Sequence, residues 1–284
     1  MLTLGVTARH STCCCTRNVL FERDFFYFDQ SKNVSYVPEY SNRYQGKQLR
    51  LGNDIVDLSL PYAKYKYLDQ RFLKRVFTTE EQNSISNAIY KSKMFWAIWA
   101  AKEAAYKACK KKFPEVIFSH NKFIIDRSTL INLQYTNKTN EIFGIVVYKD
   151  QIISLRWQYY SNYVHATAVL LENREIFTEW GKINFNITKR SIFLDFLNKL
   201  GLVKYLKKYF TKRELSSIFS EESLITRFYA KRFLKSCGFK QNIEIIRSNG
   251  PPMLFIKEHQ LIEHEISLSH DGNFMAVCCY TVHT

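Results

Sequence analysis

The residues best suited to metal and phosphate chemistry are two acids that follow a glycine and a Lys-Glu pair farther along the chain. The run Leu51-Gly52-Asn53-Asp54-Ile55-Val56-Asp57-Leu58 reads as a short buried strand in which Gly52 allows close backbone approach. Asp54 is therefore a carboxylate on a rigid element. Residues three apart on a regular strand face opposite sides, so Asp57 shares a site with Asp54 only if the strand ends or bulges between them.

The second segment, Trp99-Ala100-Ala101-Lys102-Glu103-Ala104-Ala105-Tyr106-Lys107, is strongly helical. Helical spacing puts Trp99, Glu103 and Lys107 on one face. The carboxylates of Asp54 and Glu103, completed by waters, suit Mg²⁺ bound to a substrate diphosphate, and Lys107 adds a positive charge for phosphate. The alternatives are a solvated Glu103–Lys107 pair contributing about 0.2–0.5 kcal/mol and an Asp54 that only caps a turn.

Two more segments favour a functional interpretation of these motifs. One runs from Arg71 to Glu81 between them, and the other is Ser267-Leu268-Ser269-His270, which follows Gly250-Pro251-Pro252. Together the four segments resemble the 4'-phosphopantetheinyl transferase superfamily. The Arg71–Glu81 string is similar to the holo-acyl-carrier-protein synthase branch, and the Ser-x-Ser-His string is similar to the segment with which these enzymes bind coenzyme A.

The resemblance covers residues 50–284 in outline and is strongest in 51–107 and 264–277. Some relatives carry a lysine where this chain has Pro251, so that phosphate contact is lost or supplied elsewhere. Taken alone, His270 is as well explained as a structural histidine.

The resemblance implies an enzyme that moves 4'-phosphopantetheine from coenzyme A to a serine of an apo acyl or peptidyl carrier protein, with Mg²⁺ and release of 3',5'-ADP. It implies the following roles: Asp54, Glu103 and Lys107 are catalytic, Asp54, Glu103 and Asp57 bind the metal, and Lys102, Lys107, Ser269 and His270 bind the coenzyme. Alternatives are a catalytically silent module that binds carrier proteins, and a basic nucleic-acid-binding protein.

The two halves of the chain are similar to each other. Phe77-Thr78 with Glu81 recurs as Phe210-Thr211 with Glu214, and both matches have an offset of 133 residues. The same offset carries Gly52 and Asp54 onto Phe185 and Ile187, so the second copy lacks the acids. Aligning Tyr163–Ala166 with Phe274–Val277 sets Gln158-Tyr159 opposite Ser269-His270, so the first copy lacks the Ser-His pair.

We therefore expect one composite site between two halves related by a pseudo-twofold axis. The expected divisions are an N-terminal extension at 1–48, an acidic half at 49–172 and a Ser-His half at 173–284. The expected assembly is a monomer with an internal pseudo-dimer. The surfactin-type branch of the superfamily also has tandem halves, but there the acidic motifs come second, and a closed pseudo-dimer tolerates either order.

The net charge of +15 predicts an acidic partner, because such a field concentrates anions. Acyl carrier proteins are acidic, and by resemblance Arg71, Lys74 and Arg75 are docking candidates, although a merely solvated basic face is the alternative. Nucleic acid is the less favoured acidic partner. Its candidate contacts are Lys110-Lys111-Lys112 and the stretch with Lys204, Tyr205, Lys207, Lys208, Tyr209, Lys212 and Arg213.

Composition bounds the class of protein. With 284 residues, 46% of them hydrophobic, the chain can bury one or two cores, and it has no apolar run long enough to span a membrane. The adjacent cysteines 13–15 and 278–279 suit neither a disulfide framework nor a Cys-x-x-Cys metal site, so we expect a reducing, cytoplasmic location. Residues 1–48, with no acid before Glu22, loosely fit an organelle transit peptide instead.

The pattern predicts an α+β fold in which each half is an antiparallel sheet with helices packed against it. The predicted strands are 51–57, 116–126, 142–149, 152–159, 163–172, 243–247, 253–257, 264–269 and 274–281. The predicted helices are 69–76, 79–90, 92–111, 189–208, 212–219 and 222–237. Gly238 is expected to end the last helix, and Asn249-Gly250-Pro251-Pro252 to form a turn.

Overall fold

The computed structural model describes residues 49–135, 141–171, 180–189, 206–239, 242–247 and 250–281. Residues 42–284 form one compact unit. The predicted N-terminal extension at 1–48, with its alternative as a transit peptide, lies outside the described residues.

The described elements come in runs of helices and runs of short strands. In chain order they are β1 Arg50–Asp57, α1 Pro61–Tyr65, α2 Gln70–Val76, α3 Thr79–Asn87, α4 Lys91–Lys112, β2 Ile124–Ile125, α5 Arg127–Tyr135, β3 Glu141–Tyr148, β4 Gln151–Tyr159, β5 Tyr163–Leu170, β6 Ile183–Lys189, α6 Lys212–Leu215, α7 Glu221–Ser236, β7 Ile243–Ile246, β8 Met253–Ile256, β9 His259–Gln260, β10 Glu265–Asp271 and β11 Phe274–Tyr280.

All strand pairs in the described residues are antiparallel, and they form three sheets in the orders β1-β5-β4-β3-β2, β10-β11-β6 and β7-β8-β9. Helix α4 lies across β1 and β5 and contributes more residues to the first core than any other described element. A Cβ on Gly52 would lie 2.0 Å from the carbonyl oxygen of Ala104, so the helix can approach β1 only over a glycine. The predicted α+β class with antiparallel sheets is confirmed.

The structure departs from the predicted elements in three places. The strand expected at 116–126 is reduced to Ile124–Ile125, because Phe118 and Phe123 turn inward against Tyr106 and a 3-10 turn occupies His120–Lys122. Helix α5 follows at once, in a stretch for which no element was predicted. The Asp126 side chain caps it by accepting from the amide of Ser128, a capping signal that the sequence contains.

The second error is at the start of the second half. Strand β6 occupies 183–189, where no strand was predicted and a helix was to begin at 189. The 133-residue offset had placed the counterpart of Gly52 and Asp54 on Phe185 and Ile187, inside this strand. Of the helix predicted at 189–208, residues 190–205 lie outside the described residues.

The third error concerns lengths in the second half. Helix α6 stops at Leu215 and not at 219. The strands β7, β8, β10 and β11 lie close to their predicted positions, and Gly238 has the positive φ of 99° expected of a residue that ends a helix.

The internal repeat has a counterpart in hydrogen bonds. Thr78 and Glu81 form a capping box at the start of α3, and Thr211 and Glu214 form the same box at the start of α6. Glu81 also accepts from the amide of Ile125 at 3.1 Å, as Glu214 does from Ile245 at 3.0 Å. Each half thus anchors an edge strand on a buried glutamate at the start of a helix.

Each of the same glutamates pairs with a lysine. Lys102 Nζ lies 2.6 Å from Glu81, and both side chains have no exposed surface. Lys231 Nζ lies 2.9 Å from Glu214 in the second half. The lysine that plays the part of Lys102 is therefore Lys231, one helical turn before the Lys235 that the offset selects.

Replacing Lys102 with methionine is expected to destabilise the fold by about 3–5 kcal/mol, because Glu81 would be left as a buried, uncompensated charge. Urea unfolding followed by circular dichroism measures this change. The control is Lys66→Met, whose exposed pair with Asp69 contributes about 0–1 kcal/mol. Equal losses in the two variants would contradict the role given to Lys102.

Candidate functional site

The structure brings Asp54, Glu103 and Lys107 together where α4 crosses β1. Lys107 Nζ lies 2.7 Å from Asp54 Oδ1 and donates to the carbonyl oxygen of Asn53 at 2.9 Å. Glu103 stands one turn earlier on the same face of the helix and is close enough to Asp54 to repel its charge. The strand supplies one carboxylate, and the helix supplies the other together with a cation.

Burial raises the pKa of Asp54 to about 6, against the opposing attraction of Lys107. The neighbouring charges of Glu103 and Asp271 raise this pKa further. The site therefore contains more negative charge than its single lysine neutralises, an arrangement that a bound cation would relieve.

Asp57 does not face this cluster. Strand β1 pairs regularly with β5 from Arg50 to Asp57, without the bulge that would turn Asp57 toward Asp54. Its side chain is fully buried, and its two oxygens accept from the amides of Ser59 at 2.9 Å and Asn273 at 2.8 Å. The prediction of Asp57 as a metal ligand is corrected to a structural role in tying β1 to the β10–β11 turn.

Lys102 is also a structural residue. Its ammonium group is enclosed by Glu81 and by the carbonyl oxygens of Val76 at 3.2 Å and His120 at 3.0 Å. Because the Lys102 side chain has no exposed surface, a bound coenzyme cannot contact it. The predicted coenzyme contact of Lys102 is therefore wrong.

Ser269 and His270 point to opposite sides of β10, as neighbours on a strand must. Ser267 and Asp271 contact β1, so Ser269 between them faces β1 too, and its hydroxyl oxygen is buried. His270 faces the other side and is exposed. The two side chains therefore do not face the same side of β10. The hydroxyl of Ser269 has no hydrogen-bond partner among the described residues, and its contact with the coenzyme stays a prediction.

Strands β1 and β10 run side by side in the same direction, joined by side chains. Arg50 pairs with Glu265 at 2.7 Å. The amide of Asn53 donates to Ser267 Oγ at 2.8 Å, and the amide of Asp57 donates to Asp271 Oδ2 at 2.8 Å. The second half of the chain thus meets the first along the whole of the strand that carries Asp54.

Asp271 was missed as a site residue, although it directly follows the Ser-His pair. It accepts a hydrogen bond from the hydroxyl of Tyr62 in α1 at 2.5 Å, and its charge acts on Asp54. Gly272 beside it has a φ of +50°, and a Cβ there would lie 2.3 Å from Asp57 Oδ2. The Asp-Gly turn is the signal that could have indicated a hairpin end packed against β1.

A family model matches the part of the chain that carries this cluster. Residues 50–168 match the model of the 4'-phosphopantetheinyl transferase superfamily. The described site residues Asp54, Glu103 and Lys107 all fall within the matched range. Residues 50–168 are a domain of the 4'-phosphopantetheinyl transferase superfamily. A search of curated proteins found no match to the chain.

The transferase domain identified in this way ends before β6. The match supports transfer of the phosphopantetheine group, with coenzyme A as the donor. Ser269, His270 and Asp271 lie beyond the matched residues.

The donor set of the transferase domain fits a divalent cation that the substrate helps to bind. No group of three or more His, Cys, Asp or Glu side chains within the described ranges could hold a metal on its own. Mg²⁺, however, is usually bound through one or two carboxylates together with substrate phosphates and waters. Asp54 and Glu103 supply hard oxygen ligands of this type.

A cavity of about 130 Å³ lies beside the transferase domain at the start of β1. Pro251 and Pro252 line it together with Arg50 and Lys111. Both cations are already paired with Glu265, each at 2.7 Å. Pro251, the position at which some relatives carry a lysine, therefore faces two cations whose charges are largely neutralised by Glu265.

The nucleic-acid alternative loses part of its basic surface in the structure. Lys111 is almost fully buried and donates to the carbonyl oxygens of Leu51 and Ile266, each at 2.6 Å. Lys110 donates to carbonyl oxygens that follow α4, including that of Val116 at 2.9 Å. Lys204 and Tyr205 lie outside the described residues.

A buried polar chain connects the transferase domain with β10. His165 lies with Nδ1 3.3 Å from Gln158 Oε1 and Nε2 3.4 Å from Asn53 Nδ2. Asn53 Oδ1 accepts from Ser267 Oγ at 2.9 Å. These contacts fit a neutral imidazole that donates from Nδ1 and accepts at Nε2.

Burial, reinforced by the charges of Arg156 and Lys107, lowers the pKa of His165 to about 3 from 6.5. Because the unfolded chain binds this proton more readily, the contribution of His165 to the free energy of unfolding is expected to be complete above pH 6.5. It is then lost progressively toward pH 3, at up to about 1.4 kcal/mol per pH unit. Urea unfolding across this range measures the slope, and His165→Gln should flatten it. An unchanged slope in that variant would contradict the assignment.

Helices that could cross a membrane are absent from the described part of the chain.

Proposed function

We propose that this protein transfers 4'-phosphopantetheine from coenzyme A to a serine of an apo acyl or peptidyl carrier protein, with Mg²⁺ as the metal. The observation that carries the proposal is the convergence of Asp54, Glu103 and Lys107 on one partly exposed face of a domain of this superfamily. The products are the holo carrier protein and 3',5'-ADP.

In this proposal Asp54 and Glu103 would hold Mg²⁺, which supplies charge neutralisation of the diphosphate. Lys107 binds the phosphoryl oxygens and stabilises the charge that develops on the transferring group and on the departing 3',5'-ADP. Its ammonium group is preorganised by Asp54 and the carbonyl oxygen of Asn53. Little covalent chemistry is then left for the protein beyond positioning and proton transfer.

The proton of the carrier serine needs an acceptor, and Glu103 is the side chain we assign to it, directly or through a water. Its carboxylate is about one-fifth exposed, so that an incoming hydroxyl can reach it. Asp54 suits this role less well because one of its oxygens is engaged by Lys107 at 2.7 Å.

The coenzyme is proposed to lie along the junction of β1 and β10, where both halves contribute. His270 is exposed on the side of β10 opposite to β1, so we propose it only for a phosphate at the adenosine end, where the coenzyme would extend past the edge of β10. This composite arrangement is the functional reason we propose for the pseudo-twofold repeat, in which the halves at 49–172 and 173–284 keep complementary parts of one site. The proposed assembly is a monomer.

Carrier proteins are the proposed acidic partners. Arg71, Lys74 and Arg75 are all exposed on α2, and its Phe72 ring lies 5.4 Å from Trp99 on the face of α4 that carries Glu103. A carrier protein on α2 would therefore dock near the reacting groups. The Arg71–Glu81 string favours the holo-acyl-carrier-protein synthase type, and with it carriers of fatty acid or polyketide synthesis.

The test is incubation with coenzyme A, Mg²⁺ and a panel of apo carrier proteins, read by intact mass. Gain of one phosphopantetheine group by at least one carrier supports the proposal. Failure with every carrier would leave the second candidate, a silent binding module, and calorimetry separates the two. A silent module binds the carrier but not coenzyme A with Mg²⁺, whereas a transferase binds both.

A further inference from the structure

The imidazole of His120 lies beside the proposed base and metal ligand. His120 stands in the 3-10 turn His120–Lys122 that follows α4, and its Nε2 is 3.5 Å from Glu103 Oε1. That nitrogen is buried and has no hydrogen-bond partner among the described residues. We propose that His120 is a positioning residue whose Nε2–H holds the carboxylate of Glu103 in the orientation that faces Asp54. The inference depends on the role that the proposed function gives to Glu103.

Aromatic rings restrict where this imidazole can point. It stacks on Trp99 with 4.3 Å between ring centres and 29° between planes, and its centre lies 3.9 Å from that of Phe118. Phe118 in turn stacks on Tyr106 at 4.4 Å. Trp99 stands one turn before Glu103 on the same face of α4, so stacking on Trp99 aims the ring at Glu103.

The backbone of His120 is fixed as well. Its carbonyl oxygen accepts from Lys102 Nζ at 3.0 Å, and the same ammonium is paired with Glu81. Lys102 directly precedes Glu103 in the helix but points away from it into the core. The lysine of the Lys-Glu motif thus acts on the site through His120 and not through the coenzyme.

The contact of 3.5 Å is longer than a strong hydrogen bond. Catalytic contacts are often long without ligands and shorten when substrate binds. Hydrogen-bond partners of a metal-binding carboxylate fix its orientation, and their loss typically costs about 10–100-fold in metal affinity or activity. His120 is expected to have an effect of this size.

Two substitutions separate the hydrogen bond from the stacking. His120→Phe keeps a ring against Trp99 and removes the donor, whereas His120→Gln removes the ring and keeps a donor that can occupy the position of Nε2. His259→Ala, in an exposed residue of β9, is the control. Mn²⁺ binding in the presence of coenzyme A, followed by electron paramagnetic resonance, is measured together with thermal unfolding and carrier transfer.

His120→Phe should weaken Mn²⁺ binding by about 10–100-fold with an unchanged unfolding midpoint, and His120→Gln should restore binding close to wild type. Wild-type affinity in His120→Phe, or equal loss in both variants, overturns the proposal. If His120→Phe does not fold, NMR of the wild type replaces it. The Nε2 proton of His120 should then shift downfield when Mg²⁺ and coenzyme A are added, and no shift overturns the proposal.

The two hypotheses fail in different ways. A wild-type protein that binds Mn²⁺ with coenzyme A but modifies no carrier refutes the proposed transfer, while the difference in metal binding between His120→Phe and His120→Gln still decides the role of His120. A wild type that binds no Mn²⁺ with coenzyme A overturns both.

Discussion

Replacing Glu103 with glutamine is expected to lower the rate of carrier modification by about 10³-fold or more while the protein remains folded. Glutamine keeps the size of the side chain but can neither accept the proton of the serine nor bind a hard cation as an anion. General base catalysis alone accounts for about 10²–10⁴-fold, and the weaker cation binding adds to it. Since Glu103 is partly exposed and its carboxylate lies beside His120, the substitution removes no core packing.

The measurement is the initial rate of phosphopantetheine transfer, with far-ultraviolet circular dichroism as the check on folding. Glu115→Gln, an exposed position just after α4, is the matched control. A Glu103→Gln protein with wild-type turnover would remove Glu103 from the mechanism, and an equal loss in the control would point to a general effect of lost negative charge.

Lys107→Met is the second substitution with a large expected effect. Removing one preorganised donor to a developing charge typically costs about 10²–10³-fold in the rate of the chemical step. The methionine keeps the length and apolar stem of the side chain but takes away the cation that lies 2.7 Å from Asp54 Oδ1. We expect the maximal rate to fall by that factor.

Lys107→Met also removes the ion-pair partner of the Asp54 carboxylate. Lys91→Met, at an exposed position in the first turn of the same helix, is the control. If the substitution raised only the coenzyme concentration needed for half-maximal rate and left the maximal rate unchanged, Lys107 would contribute to binding and not to the transition state.

The parts of the site that were predictable are those in which local geometry decides. Trp99, Glu103 and Lys107 share a face because they are four apart on a helix, and Asp54 is positioned by a short strand that Gly52 lets α4 approach. The sequence left the role of Asp57 as a metal ligand open for a similar reason, since an unbroken strand turns its side chain away from Asp54. Its regular pairing with Tyr163 settles that point.

The errors come from partners that are distant in the sequence. Lys102 looks like a surface lysine in its own helix, and only the packing of α3 against α4 brings Glu81 to it. Ser269 reads as an exposed loop residue until β10 lies along β1 and covers its hydroxyl. His120 reaches Glu103 through a turn after the helix, and no spacing in the sequence indicates that contact.

The fold shows the same division. Strands such as β4 and β5 are where they were predicted. Strand β6 was missed although its residues alternate between apolar and polar from Ile183 to Thr188, because it directly precedes the helix predicted at 189–208. Helix α5 begins at an aspartate cap that a reading based on apolar runs overlooks. The period-2 alternation would have located β6, and the aspartate cap would have located α5.

The most direct test of the composite site is a crystal structure with coenzyme A and Mn²⁺, examined by anomalous scattering. The account predicts one manganese peak bound by Asp54 and Glu103, with the diphosphate of the coenzyme on the same ion and the adenosine end against β10. A coenzyme bound elsewhere, or a peak that lacks either carboxylate, would contradict it.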